Sequence, residues 1–153
     1  MMTLAFRHTP KKGTGLRDWI MIKAVQWWTN SKYYHVELIA NEKWISAHLE
    51  NGIQMNELRT LSSDWDYIEV SDKRLANKNM RWIESQIGVE YDWLGILGLV
   101  VFKNKLGILH STNKWFCSEI VTKILQTAND NRVTGLAAST VTPADLFEIY
   151  NKG

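Results

Sequence analysis

A single cysteine and four histidines carry most of the chemistry this 153-residue chain could perform. The cysteine stands in Lys114-Trp115-Phe116-Cys117-Ser118-Glu119-Ile120, and Cys117, Ile120, Val121, Ile124 and Leu125 fall on one helical stripe. That spacing predicts a helix from Cys117 to about Ala128. A helix N-terminus carries partial positive charge and unpaired N–H groups, which favour a thiolate and can hold an oxyanion. His35 lies in Tyr34-His35-Val36-Glu37-Leu38-Ile39-Ala40, a strand pattern followed by Asn41-Glu42 and a second strand pattern, Lys43-Trp44-Ile45-Ser46-Ala47-His48-Leu49. With Asn41-Glu42 as a two-residue turn, Ala40 pairs with Lys43, and stepping outward sets His35 opposite His48, with Cβ atoms about 5 Å apart on one face. A thiolate, an imidazole to take its proton and a second ring to orient the first would form a nucleophilic acyl-transfer site. A slip of one residue would send one of the rings to the other face.

Each of these residues also has a plainer reading. A lone cysteine on an apolar stripe is commonly a buried hydrophobe, and a histidine among Tyr, Val, Leu and Ile is commonly a satisfied core residue. The combination of one cysteine at a helix start with two histidines face to face favours catalysis over packing. No metal is expected, because His8, His35, His48, His110 and Cys117 lack the short helical or knuckle spacing of a zinc site. Neither a Gly-rich phosphate loop nor Gly-x-Ser-x-Gly occurs, and no cofactor is expected. Tyr91-Asp92 reads as a substrate contact or, equally well, as Asp92 capping the helix that follows. The eight tryptophans read as core rather than as a ligand platform.

These side chains need a frame, and 153 residues with 45% hydrophobic content allow one domain, 1–153, with a substantial core. Thr3 to His8 predicts a first strand, and Pro10, Gly13 and Gly15 an irregular loop. Leu16, Trp19, Ile20, the stem of Lys23 and Trp27 recur at helical spacing, predicting an amphipathic helix from Leu16 to Trp28. Beyond the hairpin, strands at Gly52 to Met55 and Tyr67 to Val70 would bring an antiparallel sheet to four or five strands. A helix from Lys73 to Ile87 capped by Asp72, a buried apolar helix at Leu94 to Phe102 and a loop at Asn104 to Asn113 are expected next. Thr142-Pro143-Ala144-Asp145 then supplies a hydroxyl cap, a proline at the first helical position and an acid in the first turn.

Composition narrows the partners. The net charge is +2 and the cations are scattered, so nucleic acid is not expected. The Leu94 to Phe102 run is too short to cross a bilayer, so no integral membrane segment is expected. Residues Met1 to His8 lack the apolar run and small residues of an export signal, which fits a cytoplasmic chain or a virus-encoded one delivered by another route. One cysteine excludes an internal disulfide, so the fold must stand on packing. Oligomeric state is left open.

Four passages in this order resemble the circularly permuted NlpC-type papain-like cysteine hydrolases, a superfamily that includes the lecithin:retinol acyltransferase-like proteins. They are Tyr33-Tyr34-His35-Val36-Glu37-Leu38, Gly88-Val89-Glu90-Tyr91-Asp92, Trp115-Phe116-Cys117-Ser118-Glu119-Ile120-Val121 and Thr142-Pro143-Ala144-Asp145-Leu146. The cysteine passage is the most specific. The resemblance implies an α+β permuted papain-like fold, an antiparallel sheet of about five strands packed against helices, with the histidine strand before the cysteine helix. It implies a catalytic Cys117, His35 as its base and a third polar residue on the adjoining strand, matched here by His48. Tyr34, Tyr91 and Ser118, next to these groups in the motifs, are the expected substrate contacts.

In that family the nucleophile attacks a carbonyl, forms a thioester and releases it to water or another acceptor. Bacterial members are associated with amide bonds in cell-wall peptides, and the acyltransferase branch with lipid esters. This sequence has no wall-binding module, and it lacks the hydrophobic tail of many lipid-acting relatives, which favours amide cleavage. The expected function is therefore a thiol hydrolase of amide bonds, in cell-wall peptides first, through a Cys-His-His site acting on a peptide or acyl substrate. Its alternatives are a lipid-acting thiol acyltransferase or phospholipase and a non-enzymatic binding module on a decayed hydrolase scaffold.

Overall fold

The computed structural model of the chain describes residues 1–48, 50–92, 95 and 114–152. Its centre is β1 (Met2–Arg7), whose two edges are taken antiparallel by β2 (His35–Ala40) and β5 (Trp65–Ser71). Outside β2 lie β3 (Lys43–His48) and then β4 (Gly52–Glu57), so the five-stranded antiparallel sheet runs β4-β3-β2-β1-β5. Four α-helices among the described residues complete an α+β architecture: α1 (Leu16–Thr29), α2 (Asn77–Gln86), α3 (Cys117–Thr127) and α4 (Pro143–Asn151).

The β2–β3 hairpin turns on Asn41 and Glu42, whose φ angles of 51° and 66° are the two left-handed residues of a type I′ turn, the twist that suits flanking strands. Ala40 pairs with Lys43, Ile39 with Trp44 and Leu38 with Ile45, the register expected from the sequence. The Asn41 side chain also binds the main chain of Leu75, its Oδ1 accepting from the N–H and its Nδ2 donating to the carbonyl, both at 3.0 Å. That clamp corrects one expectation. With Leu75 buried and its backbone committed to Asn41, a helix cannot run through it, and α2 begins at Asn77 rather than Lys73. Ala76, not Asp72, occupies the N-cap.

Along β2 the side chains alternate between two faces. Val36, Leu38 and Ala40 join Leu4, Phe6, Ile45, Ala47 and Ile53 in the main core, which α3 covers with Ile120, Val121, Ile124 and Leu125. Fully burying an aliphatic side chain of this size stabilises the fold by about 1.5–3 kcal/mol. α4 adds Leu146 and Tyr150 to the same core. Its start follows the sequence pattern: the Thr142 hydroxyl accepts from the Asp145 N–H at 3.1 Å, the Asp145 carboxylate accepts from the Thr142 N–H at 2.8 Å, and Pro143 is the first helical residue. His35, Glu37 and Ile39 take the other face, where Ile39 packs with Ala5 and Trp44.

The tryptophans divide between inside and outside. Trp44 is buried, as a core reading requires, whereas Trp19 and Trp27 on α1 stand in solvent. α1 is moored by the buried Val25 and by Gln26, whose Nε2 donates to the Lys32 carbonyl at 2.6 Å. The expected apolar helix at Leu94 to Phe102, the loop at Asn104 to Asn113 and His110 lie outside the described residues. Among the described residues, no helix is long and apolar enough to cross a membrane.

Candidate active site

Three segments far apart in sequence meet at one end of β2. His35 opens that strand opposite Arg7, and the period of two places Glu37 beside it on the same face. The segment that brings Tyr91 depends on Gly52. Its φ is 63°, and a Cβ there would come within 2.1 Å of the Val89 carbonyl oxygen. Glycine therefore lets residues 88–89 lie against β4, where the Ile53 N–H donates to Val89 at 3.0 Å and the Gly88 N–H to Ile53 at 2.9 Å. From there Tyr91 pairs in parallel with Trp115, and the Asp92 N–H donates to the Trp115 carbonyl at 3.0 Å. The pairing delivers Tyr91 to the start of α3, where Cys117 is the first helical residue.

The sulfur of Cys117 lies within electrostatic reach of the His35 ring, the Val36 N–H and the Tyr91 hydroxyl. On its far side the His35 ring meets a carboxylate, with Nε2 3.1 Å from Glu37 Oε1. Glu37 is completely buried, and its other oxygen accepts from the Arg59 guanidinium, which lies 4.3 Å above the centre of the Trp44 ring. His48 stacks on His35 with ring centres 5.7 Å apart and planes inclined by 27°, and its Nε2 lies 3.5 Å from Glu37 Oε1. Trp65 stands edge-on to His35 at 6.0 Å.

The electrostatics follow from this packing. Burial pushes the Cys117 thiol up, but the His35 charge and hydrogen bond, the Val36 N–H and the Tyr91 hydroxyl outweigh it and leave the thiol below its ordinary value. Burial alone would lower His35, yet Cys117 and then Glu37 raise it to about 10. Glu37 is brought below the usual carboxylate range despite its burial, chiefly by His35 and Arg59. His48 goes the other way, because burial and the neighbouring His35 charge lower it to about 4 and keep it neutral near pH 7. Together these shifts favour a thiolate beside an imidazolium, with a buried carboxylate behind them. At the helix start, the Glu119 carboxyl reaches back to the Phe116 N–H, and burial raises it to about 8 against the pull of that bond.

The structure places His48 beside His35 and Cys117 within electrostatic reach of it. His48 stacks on His35, and the group that hydrogen-bonds the His35 ring is Glu37. Neither Glu37 nor Arg59 was singled out from the sequence, although His35-Val36-Glu37 on a strand carries the period-two signal that would have found the carboxylate. Tyr91 joins the site at the sulfur, while Asp92 accepts from the Gly95 N–H at 2.9 Å, as a capping residue does. Two expected substrate contacts have protein partners of their own. Ser118 is completely buried with its hydroxyl donating to the Val141 carbonyl at 2.7 Å. Tyr34 donates its hydroxyl to the Thr9 carbonyl at 3.2 Å, in the loop after β1 and not toward the sulfur.

Exposure shows where a ligand could enter. Cys117 is 1% exposed, whereas the His35 and His48 side chains keep 13% and 31%. The histidine rings are therefore the wet edge of the cluster, and a substrate reaches the sulfur only by displacing its cover.

His35, Glu37 and His48 each offer a ligand atom, and these atoms lie within 4.8 Å of one another, so the set has the donors for a transition metal. Arg59 already occupies one Glu37 oxygen, and a protonated His35 has no lone pair to give. Metal binding would have to expel both the proton and the guanidinium. The sequence screen for metal spacing missed this set because its third member comes from the next strand. Comparison of the chain with models of protein families, with curated proteins and with solved structures finds no match in any of the three.

Proposed function

We propose that this chain is a thiol hydrolase of the permuted papain-like type, in which Cys117 attacks an amide or ester carbonyl and His35, backed by Glu37, moves the protons. One observation supports this reading above the others: the lone cysteine lies within electrostatic reach of an imidazole that a buried carboxylate holds from behind. Burying such charged groups costs several kcal/mol and rarely stabilises a fold, so a cysteine with only a packing role would have no need of them. Burial of the sulfur favours the packing role, and the ionic company favours chemistry. The second consideration prevails because apolar neighbours would fill the same space at lower cost.

The chemistry follows from the arrangement. With His35 Nε2 against Glu37, Nδ1 is the nitrogen left for the sulfur. The thiolate attacks the carbonyl carbon, and the negative oxygen is held by first-turn N–H groups of α3, which helix geometry leaves without intrahelical partners. Imidazolium then gives its proton to the leaving amine or alcohol, and a thioester remains on Cys117. Water attacks this thioester with His35 as base, which restores the thiolate–imidazolium pair. Tyr91 can donate to the sulfur or to the developing oxyanion. His48, neutral and stacked, shields the ring from water rather than taking part in proton transfer.

Cell-wall peptide amides are the first substrate class, on the strength of the resemblance noted above. A lipid ester is the second, favoured by the apolar side chains that α1 leaves in solvent. Incubating the protein with labelled wall peptides and with phospholipids separates the two. Amide cleavage releases an amine from the peptides, whereas the lipid reaction leaves a fatty-acyl adduct on Cys117, visible by intact mass. Either activity should vanish in Cys117→Ala, by at least about a thousandfold, with the circular dichroism unchanged. Turnover that survives the substitution contradicts the proposal. The binding-module alternative predicts instead that Cys117 reacts with iodoacetamide no faster than an ordinary thiol.

A further inference from the structure

Among the described residues, four of the nine exposed large apolar side chains stand on α1. Leu16, Trp19, Ile20 and Trp27 are 75%, 47%, 53% and 80% exposed. At 100° per residue these four, with Lys23, span an arc of about 100°, and Val25, the one buried residue of the helix, lies on the opposite side. The stripe that the sequence marks as a core-facing side therefore points directly away from the core.

Charge identifies what the stripe fits. Lys11, Lys12, Arg17 and Lys23 stand on this helix and its leading loop, all exposed, and Asp18 is the only acid between residues 9 and 30. Lys23 lies in the middle of the stripe with its ammonium 5.9 Å from the centre of the Trp19 ring. A second protein covering the patch would have to bury that ammonium, and lysine is depleted from the centres of protein interfaces. At a bilayer surface, the stem can lie among the tryptophans while the ammonium reaches a phosphate. Tryptophan prefers that same boundary between headgroup and acyl chain. With 14 residues, the helix is about 21 Å long, shorter than the hydrocarbon core, so it would lie in the surface plane rather than cross.

We propose that the exposed face of α1, with the Lys11-Lys12 loop, docks on an anionic lipid bilayer. The proposal does not depend on catalysis, and its test uses the full chain carrying Cys117→Ala, so that no hydrolysis enters the result. The probe is sedimentation with vesicles of phosphatidylglycerol mixed with phosphatidylcholine, compared with phosphatidylcholine alone. The protein should bind the anionic vesicles and release as salt is raised. Removing Lys11 and Lys12 together, as Lys11→Gln and Lys12→Gln, should weaken partitioning about 25-fold, roughly fivefold per cation. Trp19→Ser with Trp27→Ser should weaken it by more than about tenfold, with circular dichroism and melting unchanged because both side chains face solvent. Absence of binding to anionic vesicles overturns the proposal, as does binding that survives both pairs of substitutions. Light scattering that finds a dimer abolished by the tryptophan substitutions overturns it too, since a second copy would then be the occupant.

Discussion

α1 and α3 carry the same kind of stripe with opposite outcomes. Cys117, Ile120, Val121, Ile124 and Leu125 repeat at helical spacing and are all buried against the sheet. Leu16, Trp19, Ile20 and Trp27 repeat in the same way and are all exposed. Neither helix start has a side-chain cap hydrogen bond, but the apolar residues of α1, with Met21, Ile22, Val25 and Trp28 among them, encircle it, while those of α3 gather on one side. The sheet meets that one-sided face. β1, β2, β3 and β4 offer one continuous apolar face, and α3 with α4 covers it, whereas α1 connects two strands from outside that layer. An amphipathic pattern states that a helix has an apolar side, and the rest of the fold decides what meets it.

The sharpest way to break this contrast is to truncate the buried stripe. Ile124→Ala should cost about 2–5 kcal/mol by denaturant melting, the range for removing a fully buried aliphatic side chain. A loss below about 1 kcal/mol would mean that α3 is not packed as described. Next comes Glu37→Gln, which keeps the volume and removes the charge behind His35. It should lower turnover on the order of a hundredfold, leave KM nearly unchanged and raise the pH at which Cys117 becomes reactive. If the pH profile does not move, Glu37 has only a structural part.

His48 predicts a smaller effect, seen only in acid. Its folded value is depressed to about 4, so its contribution to stability is present above the ordinary imidazole range and is lost as pH falls from about 6.5 toward 4. His48→Gln should flatten that acid loss by about 1 kcal/mol, allowing for the partial exposure of the ring. At the bottom of the scale, Trp27→Ala should change stability by less than about 0.5 kcal/mol, because the side chain touches mainly solvent.

Some of this was legible in the residues themselves. Asn41-Glu42 fixed the hairpin register, because a two-residue turn leaves one pairing, and Thr142-Pro143-Ala144-Asp145 marked a helix start whose bonds are all local. The facing of His35 and His48 followed from that register, whereas Cys117 beside them was implied only by the family resemblance. The part that was not legible depends on neighbours distant in sequence. Asp72 had the chemistry of a cap, but Asn41, thirty-odd residues earlier, holds Leu75 out of the helix. Ser118 looked available beside the nucleophile until Val141 claimed its hydroxyl. Glu37 lay in plain view two residues from His35, yet it acquires its role only because the Arg59 guanidinium and the Trp44 ring enclose it.

The Cys117–His35 pair also sets a pH window. His35 contributes stability fully below the ordinary imidazole value and loses it as pH rises through about 10. Cys117 contributes above the ordinary thiol value and loses its share as pH falls through its lowered folded value. The ion pair should therefore form at a lower pH than an isolated thiol ionises. Following the ultraviolet absorbance of the thiolate against pH, with Cys117→Ala as the blank, measures this directly. A thiolate that forms below the ordinary thiol range, with its onset raised by His35→Asn, is the predicted result; a thiol that ionises only at or above about 8.5, with or without His35, would contradict the account.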